Sequence, residues 1–240
     1  LVFTPNVVDI WDAALSESLE SVRETRVDFG MSTSSGYHFF HVRVVPETQQ
    51  DGEVESLICI LHDITELKSA LDKLDKQRWE REVLNRIALI FLTVPGRDIF
   101  DRVLEVVLHA TGSEYGIFGY VNREGDLVCP AVSGEVWDRC EVENREVVFH
   151  RDAWLGLWGR AMTEKKEMCR NESMQVPSGH VPITRALDVP VIHNRETIGN
   201  FLVANKKSDY TEEEIRLLRT VSNFLGPVLH SVLQESESKE

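Results

Sequence analysis

The sequence predicts an α+β protein with two antiparallel sheets joined by a long, coiled-coil-like helix. Three observations carry that reading. Short runs of β-prone apolar residues recur in pairs, each parted by a turn signal: Asp51-Gly52, Arg123 to Asp126, and Asn194 to Glu196. Longer stretches instead repeat their apolar residues every three or four positions, as one face of a helix does. At Asp63-Ile64-Thr65 the first pattern passes into the second with no loop between them.

Taken in order, Val8, Trp11, Leu15, Leu19 and Val22 mark a helix over 7–22. Arg26 to Met31 alternates weakly. Tyr37 to Val45, bounded by Gly36 and Pro46, reads as a strand, and Val54 to Leu61 as its partner across the Asp-Gly turn. Asp63 has the side chain to cap the next helix, expected over 64–92, and Glu66 stands where a capping box needs it. Leu67, Leu71 and Leu74 form a coiled-coil-like seam. Arg78 and Arg81 interrupt it, and it resumes in a shifted phase at Leu84, Ile87 and Phe91. A solvated helix face explains the same residues without a partner.

Pro95-Gly96 breaks that helix. Asp98 is expected to cap the next, whose apolar face is Ile99, Val103, Val106, Val107 and Ala110 and whose end is Thr111-Gly112. Tyr115 to Val121 and Leu127 to Val132 make a hairpin, with a third strand expected over Val142 to His150. A short aromatic helix follows from Trp154 to Thr163, then a strand over Lys166 to Arg170. A second hairpin joins Leu187–His193 to Ile198–Asn205. Thr211 and Glu214 form a capping box for the last helix, with Tyr210 placed to staple onto Ile215. That helix carries two apolar stripes, one through Leu217, Val221, Phe224 and Val228, the other through Ile215, Leu218, Leu225, Leu229 and Val232. Two stripes ask for two partners, or for one wide contact inside a single domain. Pro227 is expected to bend it.

A formal net charge of −14 opposes sequence-independent binding to nucleic acid or to an anionic membrane. No apolar helical run is long enough to span a bilayer. The first residues, with Asp9 and Asp12, lack a signal-peptide pattern. Four cysteines without a Cys-x-x-Cys pair, and eight scattered histidines without zinc-ligand spacing, point to neither a disulfide framework nor a metal site. The expected setting is a reducing cytoplasm. No phosphate loop and no nucleophile elbow is present, so no catalytic role is expected of this chain.

The stretch "DGEVESLICILHDITELK" resembles the close of a PAS domain, the segment called PAC, with "IWDAALSESLESV" and "GYHFFHVRVVP" similar to an earlier helix and strand of that fold. Asp63, Ile64 and Thr65 match the family's junction residues. Residues from about 98 to 233 resemble a GAF domain, most specifically in "VPVIHNRETIGNFLVANKKSDYTEEEIRLLRTVSNFL"; "PSGHVPITRALDVPV" is similar to a subgroup found in multidomain bacterial and archaeal sensors. The implied domains are a PAS/PAC segment at 1–63, a signalling helix at 64–94, a GAF domain with a central antiparallel sheet flanked by helices at 95–234, and a polar tail at 235–240. The resemblance implies the sensory input region of a signalling protein, of the histidine kinase type. It implies a homodimer through helices 64–92 and 211–234, with a small ligand in the GAF cavity.

Candidate cavity residues are Phe118, Tyr120, Trp154, Trp158, His180 and Asn200; aromatic residues at such places also serve as ordinary core. The cofactor is unknown. Haem enters as an alternative through His150, His180, His193 and Cys169 as axial ligands. A GAF-type free methionine sulfoxide reductase is a further alternative. Where that family carries its reactive cysteines, this chain reads Gly156-Leu157-Trp158-Gly159 and Gly179-His180-Val181-Pro182-Ile183. Without those thiols the reaction lacks its nucleophile.

Overall fold

The computed structural model describes residues 5–133, 148–176 and 179–237. The chain divides into two compact units, Leu1–Arg78 and Trp79–Glu240.

The first unit is one helix on a three-stranded antiparallel sheet. Helix α1 (Pro5–Ser21) is followed by β1 (Thr25–Thr33), β2 (Gly36–Thr48) and β3 (Val54–Asp63), in the order β1-β2-β3. Alternate residues bury one face: Phe29 and Met31 on β1 and Val42 and Val44 on β2 pack with Val7 and Ala14 of α1. Trp11 meets Phe29 edge to face at 5.9 Å. The other face of β1 carries charge. There Asp28 pairs with His41 at 2.6 Å, while Arg43 pairs with Glu24 of the preceding turn at 2.7 Å.

Strand β3 passes into α2 (Thr65–Thr93) with only Ile64 between. Asp63 makes the turn. Its Oδ1 accepts hydrogen bonds from the Thr65 backbone N–H at 2.9 Å and the Thr65 hydroxyl at 2.6 Å, and its Oδ2 lies 2.8 Å from His38 Nδ1. The Phe39 N–H donates to Thr65 Oγ1, and the Ile64 N–H to the Phe39 carbonyl. Both junction residues are thereby tied to β2. With Thr65 foremost and His38 adding to it, these bonds hold the Asp63 carboxyl down at about 2. Leu67, Leu71 and Leu74 are 58%, 50% and 60% exposed.

The second unit contains α3 (Asp98–Thr111), β4 (Tyr115–Val121), β5 (Leu127–Val132), β6 (Val148–Phe149), a 3-10 turn (Arg151–Ala153), α4 (Gly156–Glu164), β7 (Met168–Arg170), β8 (Ala186–His193), β9 (Glu196–Ala204) and α5 (Glu212–Glu237). Its strands form one sheet in the order β6-β5-β4-β9-β8-β7, antiparallel throughout. One face packs on helices. Phe118, Leu187, Val189, Val191, Phe201 and Val203 meet Phe100, Val103 and Val107 of α3 and Leu218, Val221, Leu225 and Leu229 of α5.

Several expectations need correcting. The shifted seam is core: Ile87 is fully buried, and Leu84 and Phe91 pack on the same helix-side cluster. Helix α3 begins at Asp98, with Arg97 at its N-cap and no side-chain cap, while Gly112 closes it in the left-handed conformation as expected. The aromatic helix starts later, because the 3-10 turn leaves Trp154 ahead of Gly156. Of the strand expected over 142–150 only Val148–Phe149 is seen; 142–147 lie outside the described residues. In α5 the two stripes merge into one wide buried band, with Phe224 left 36% exposed. Its capping box forms as predicted. Glu214 Oε2 accepts from the Thr211 N–H at 2.8 Å and from its hydroxyl at 2.7 Å. Tyr210 and Ile215 share the core.

Candidate functional site

The other face of the second sheet carries the polar residues. Period-two alternation puts Ile117, Gly119 and Val121 of β4, Asp188 of β8, and Asn200 and Leu202 of β9 on that side. Gly119 is the register partner of Asn200, and Leu202 of Asp188. Leu127 and Cys129 of β5 join them, packed with Trp154 and Met162. Helix α4 packs on β7, β8 and β9. It is pinned by the Thr197 hydroxyl, which donates to the Met162 carbonyl at 2.9 Å. Gly159 lets it seat, because a Cβ there would fall 2.2 Å from the Trp154 carbonyl carbon.

Beneath α4 sits a polar pair in apolar surroundings. Asp188 is 0% exposed and Asn200 1%. Asn200 Nδ2 donates to Asp188 Oδ2 at 2.8 Å, while Asp188 Oδ1 and Asn200 Oδ1 have no partner among the described residues. Burial drives the Asp188 carboxyl well above the usual carboxylate range, and the Asn200 bond opposes this only in part. Burial, and next the charge of Asp188, push the neighbouring Cys129 thiol to about 12. Such a sulfur stays protonated and unreactive at neutral pH.

The structure brings three of the predicted residues to this face. Asn200 belongs to the pair, while Trp154 and Trp158 sit beside it, their rings 6.4 Å apart. Trp154 Nε1 donates to the Phe149 carbonyl at 3.2 Å, and the Arg151 guanidinium lies 5.2 Å from its ring. His180 borders the same face, its Nδ1 2.7 Å from the carbonyl of Val181, which packs with Tyr115, Ala186 and Ala204. Phe118 and Tyr120 do not join them. Phe118 is fully buried on the helix side, stacked on Phe201 at 4.1 Å, and both it and Tyr120 touch Phe100 of α3. Strand parity is the reason. Both residues are two apart on β4 and point away from Gly119.

The haem-ligand candidates do not gather. His193 stacks on His230 of α5 at 4.5 Å, and Cys169, register partner of Leu187, shares that helix side. His180 lies on the other side, and His150 is exposed against Asp126 at 2.9 Å. Among the described residues no group of three or more His, Cys, Asp or Glu is arranged to hold a metal, and no helix is long and apolar enough to cross a membrane. Sequence reading missed Asp188. Its signal was present, as the one charged residue in the apolar run Leu187 to Ile192.

Comparison with known proteins bears on the fold. A 178-residue stretch, 70% of the chain, is 28% identical to the methyl sulfide methyltransferase-associated sensor of Methanosarcina acetivorans, and spans only 17% of that protein. The GAF domain of a phosphoenolpyruvate-protein phosphotransferase from Coxiella burnetii superposes with a TM-score of 0.53 at 15% identity, over 65% of this chain and 96% of that one. A free methionine-R-sulfoxide reductase from Neisseria meningitidis gives 0.50 at 15% identity, over 65% and 91%. At such identities these two structures report the fold alone. The family model described as the GAF domain matches residues 97–230, more than half of the chain, and the chain belongs to the GAF domain family.

Proposed function

We propose that this chain is the sensory input region of a signal-transduction protein, and that its GAF domain holds a small ligand on the α4 side of the sheet. The observation that carries this is the buried Asp188–Asn200 pair with one unpartnered oxygen on each side chain. Leaving such atoms unsatisfied costs about 1–3 kcal/mol apiece, so a structural role alone is poorly served by them. The name of the Methanosarcina acetivorans relative supports a sensory role.

In this reading the chain itself is not catalytic. Cys129 is held protonated, and burial also raises the exposed Cys169 thiol, opposite to what a sulfur nucleophile needs; Cys140 lies outside the described residues. The first unit is a PAS-like half, and Asp63, Ile64 and Thr65 transmit its state into α2. Helices α2 and α5 bring two copies together, and the output domain, of the histidine kinase type, lies elsewhere in a longer cytoplasmic protein. The hydrogen bonds that tie Asp63 and Ile64-Thr65 to β2 support the junction role, since a stiff connection passes displacement that a loop would absorb.

Native mass spectrometry of the purified chain, followed by denaturing release, tests the reading. One small molecule per GAF domain is expected, with a shift in tryptophan emission from Trp154 and Trp158 when it is removed and returned. If nothing is retained, and no fraction of a metabolite extract stabilises the protein, the ligand-sensing role is lost.

A further inference from the structure

We infer that the site beneath α4 takes a compact nitrogenous cation, an alkylammonium or amidinium whose N–H groups donate to Asp188 Oδ1 and Asn200 Oδ1. The inference rests on the ligand-sensing reading above and names the ligand's chemistry. Both unpartnered atoms are oxygens, on side chains that are 0% and 1% exposed. An amide oxygen only accepts hydrogen bonds, and so does a carboxylate once it is ionised. An occupant that takes Asp188 as its carboxylate therefore brings donors, at least two, close enough together to serve diagonal positions on neighbouring strands. An anion would meet the carboxylate's own charge, whereas a cation compensates it.

The surroundings favour a small occupant with an apolar body. Cys129, Leu127, Met162 and Trp154 pack together on this face. Gly119, beside Asn200, lets Leu127 and Cys129 close in, since a Cβ there would lie 2.8 Å and 3.0 Å from them. A cation that reaches Asp188 favours its ionised form against the burial that raises its pKa, and any proton the carboxyl carries leaves to solvent.

The test measures thermal unfolding of the whole chain in acetamidinium, methylammonium, tetramethylammonium and potassium chlorides at equal ionic strength. Acetamidinium and methylammonium should each raise Tm by roughly 3–6 °C at a tenfold excess over Kd, with no comparable rise in the other two salts. Asp188→Asn, which keeps the side chain's size and removes its charge, should abolish the rise. Calorimetric titration of the unmodified protein with acetamidinium gives the same answer without any substitution. Equal effects from all four salts, meaning that water alone completes the two oxygens, would overturn the proposal, as would a rise that survives Asp188→Asn. A retained molecule lacking N–H donors overturns the ligand class and leaves the sensor reading standing. Absence of any bound compound removes both.

Discussion

Asp188 concentrates the residue-scale physics of this protein. A carboxyl with no exposed surface has its pKa driven well above the value it takes in the unfolded chain. The sign of the linkage follows. The folded pKa is raised, so the group's stabilising contribution is complete below the unfolded value of 3.8 and is lost as pH climbs from there toward the folded pKa. Asp188→Asn should therefore stabilise the protein by about 1–3 kcal/mol at pH 7 and flatten the decline in stability between pH 5 and 8. Urea midpoints at the two pH values measure both effects; a variant less stable than its parent at pH 8 would contradict the assignment. Such a gain is what a residue kept for binding rather than stability predicts. Phe118 teaches the converse. Its aromatic chemistry suggested a ligand wall, yet it is an ordinary core ring, because strand parity and not residue type decides the face.

At the scale of elements, α4 is the piece whose position makes the site. It is nine residues long, opens at a left-handed Gly156, and rests on Trp154 through the bare backbone of Gly159. Gly159→Ala should force α4 or the Trp154 backbone to move. A destabilisation of about 1–3 kcal/mol is expected, with red-shifted tryptophan emission, both readable in one denaturant titration followed by fluorescence. Elements were legible in the sequence where the signal was local. The hairpin turns, the Gly112 stop, the Thr211–Glu214 box and the strand-to-helix passage at Asp63 all lie within a few residues of what they specify. The start of α4 was not, because the 3-10 turn before it is stabilised partly by Asp126, far back in the chain, whose Oδ1 accepts the Arg151 N–H.

At the scale of the whole molecule, the exposed leucines of α2 set the expectation for assembly. Leu67, Leu71 and Leu74 are half or more exposed at coiled-coil spacing, whereas Ile87 and its neighbours are already used as core. In the proposed homodimer the α2 contact therefore rests on the first seam. Leu71→Lys should weaken self-association by roughly a hundredfold, since each copy loses a buried leucine and gains a charge at the interface. Sedimentation velocity across a concentration series decides it, and a parent protein that remains monomeric throughout removes the dimer.

The amino-acid sequence by itself determined the number and kind of most elements, the passage from β3 to α2 and the likeness to the GAF domain, because periodicity, turn chemistry and capping act over a few neighbouring residues. Only the tertiary structure decided which residues share a face. It separated Phe118 and Tyr120 from Trp154, Trp158 and Asn200, and it closed Asp188 against Asn200 under α4. Those outcomes depend on register and on helices packing from distant parts of the chain, and no local pattern encodes either.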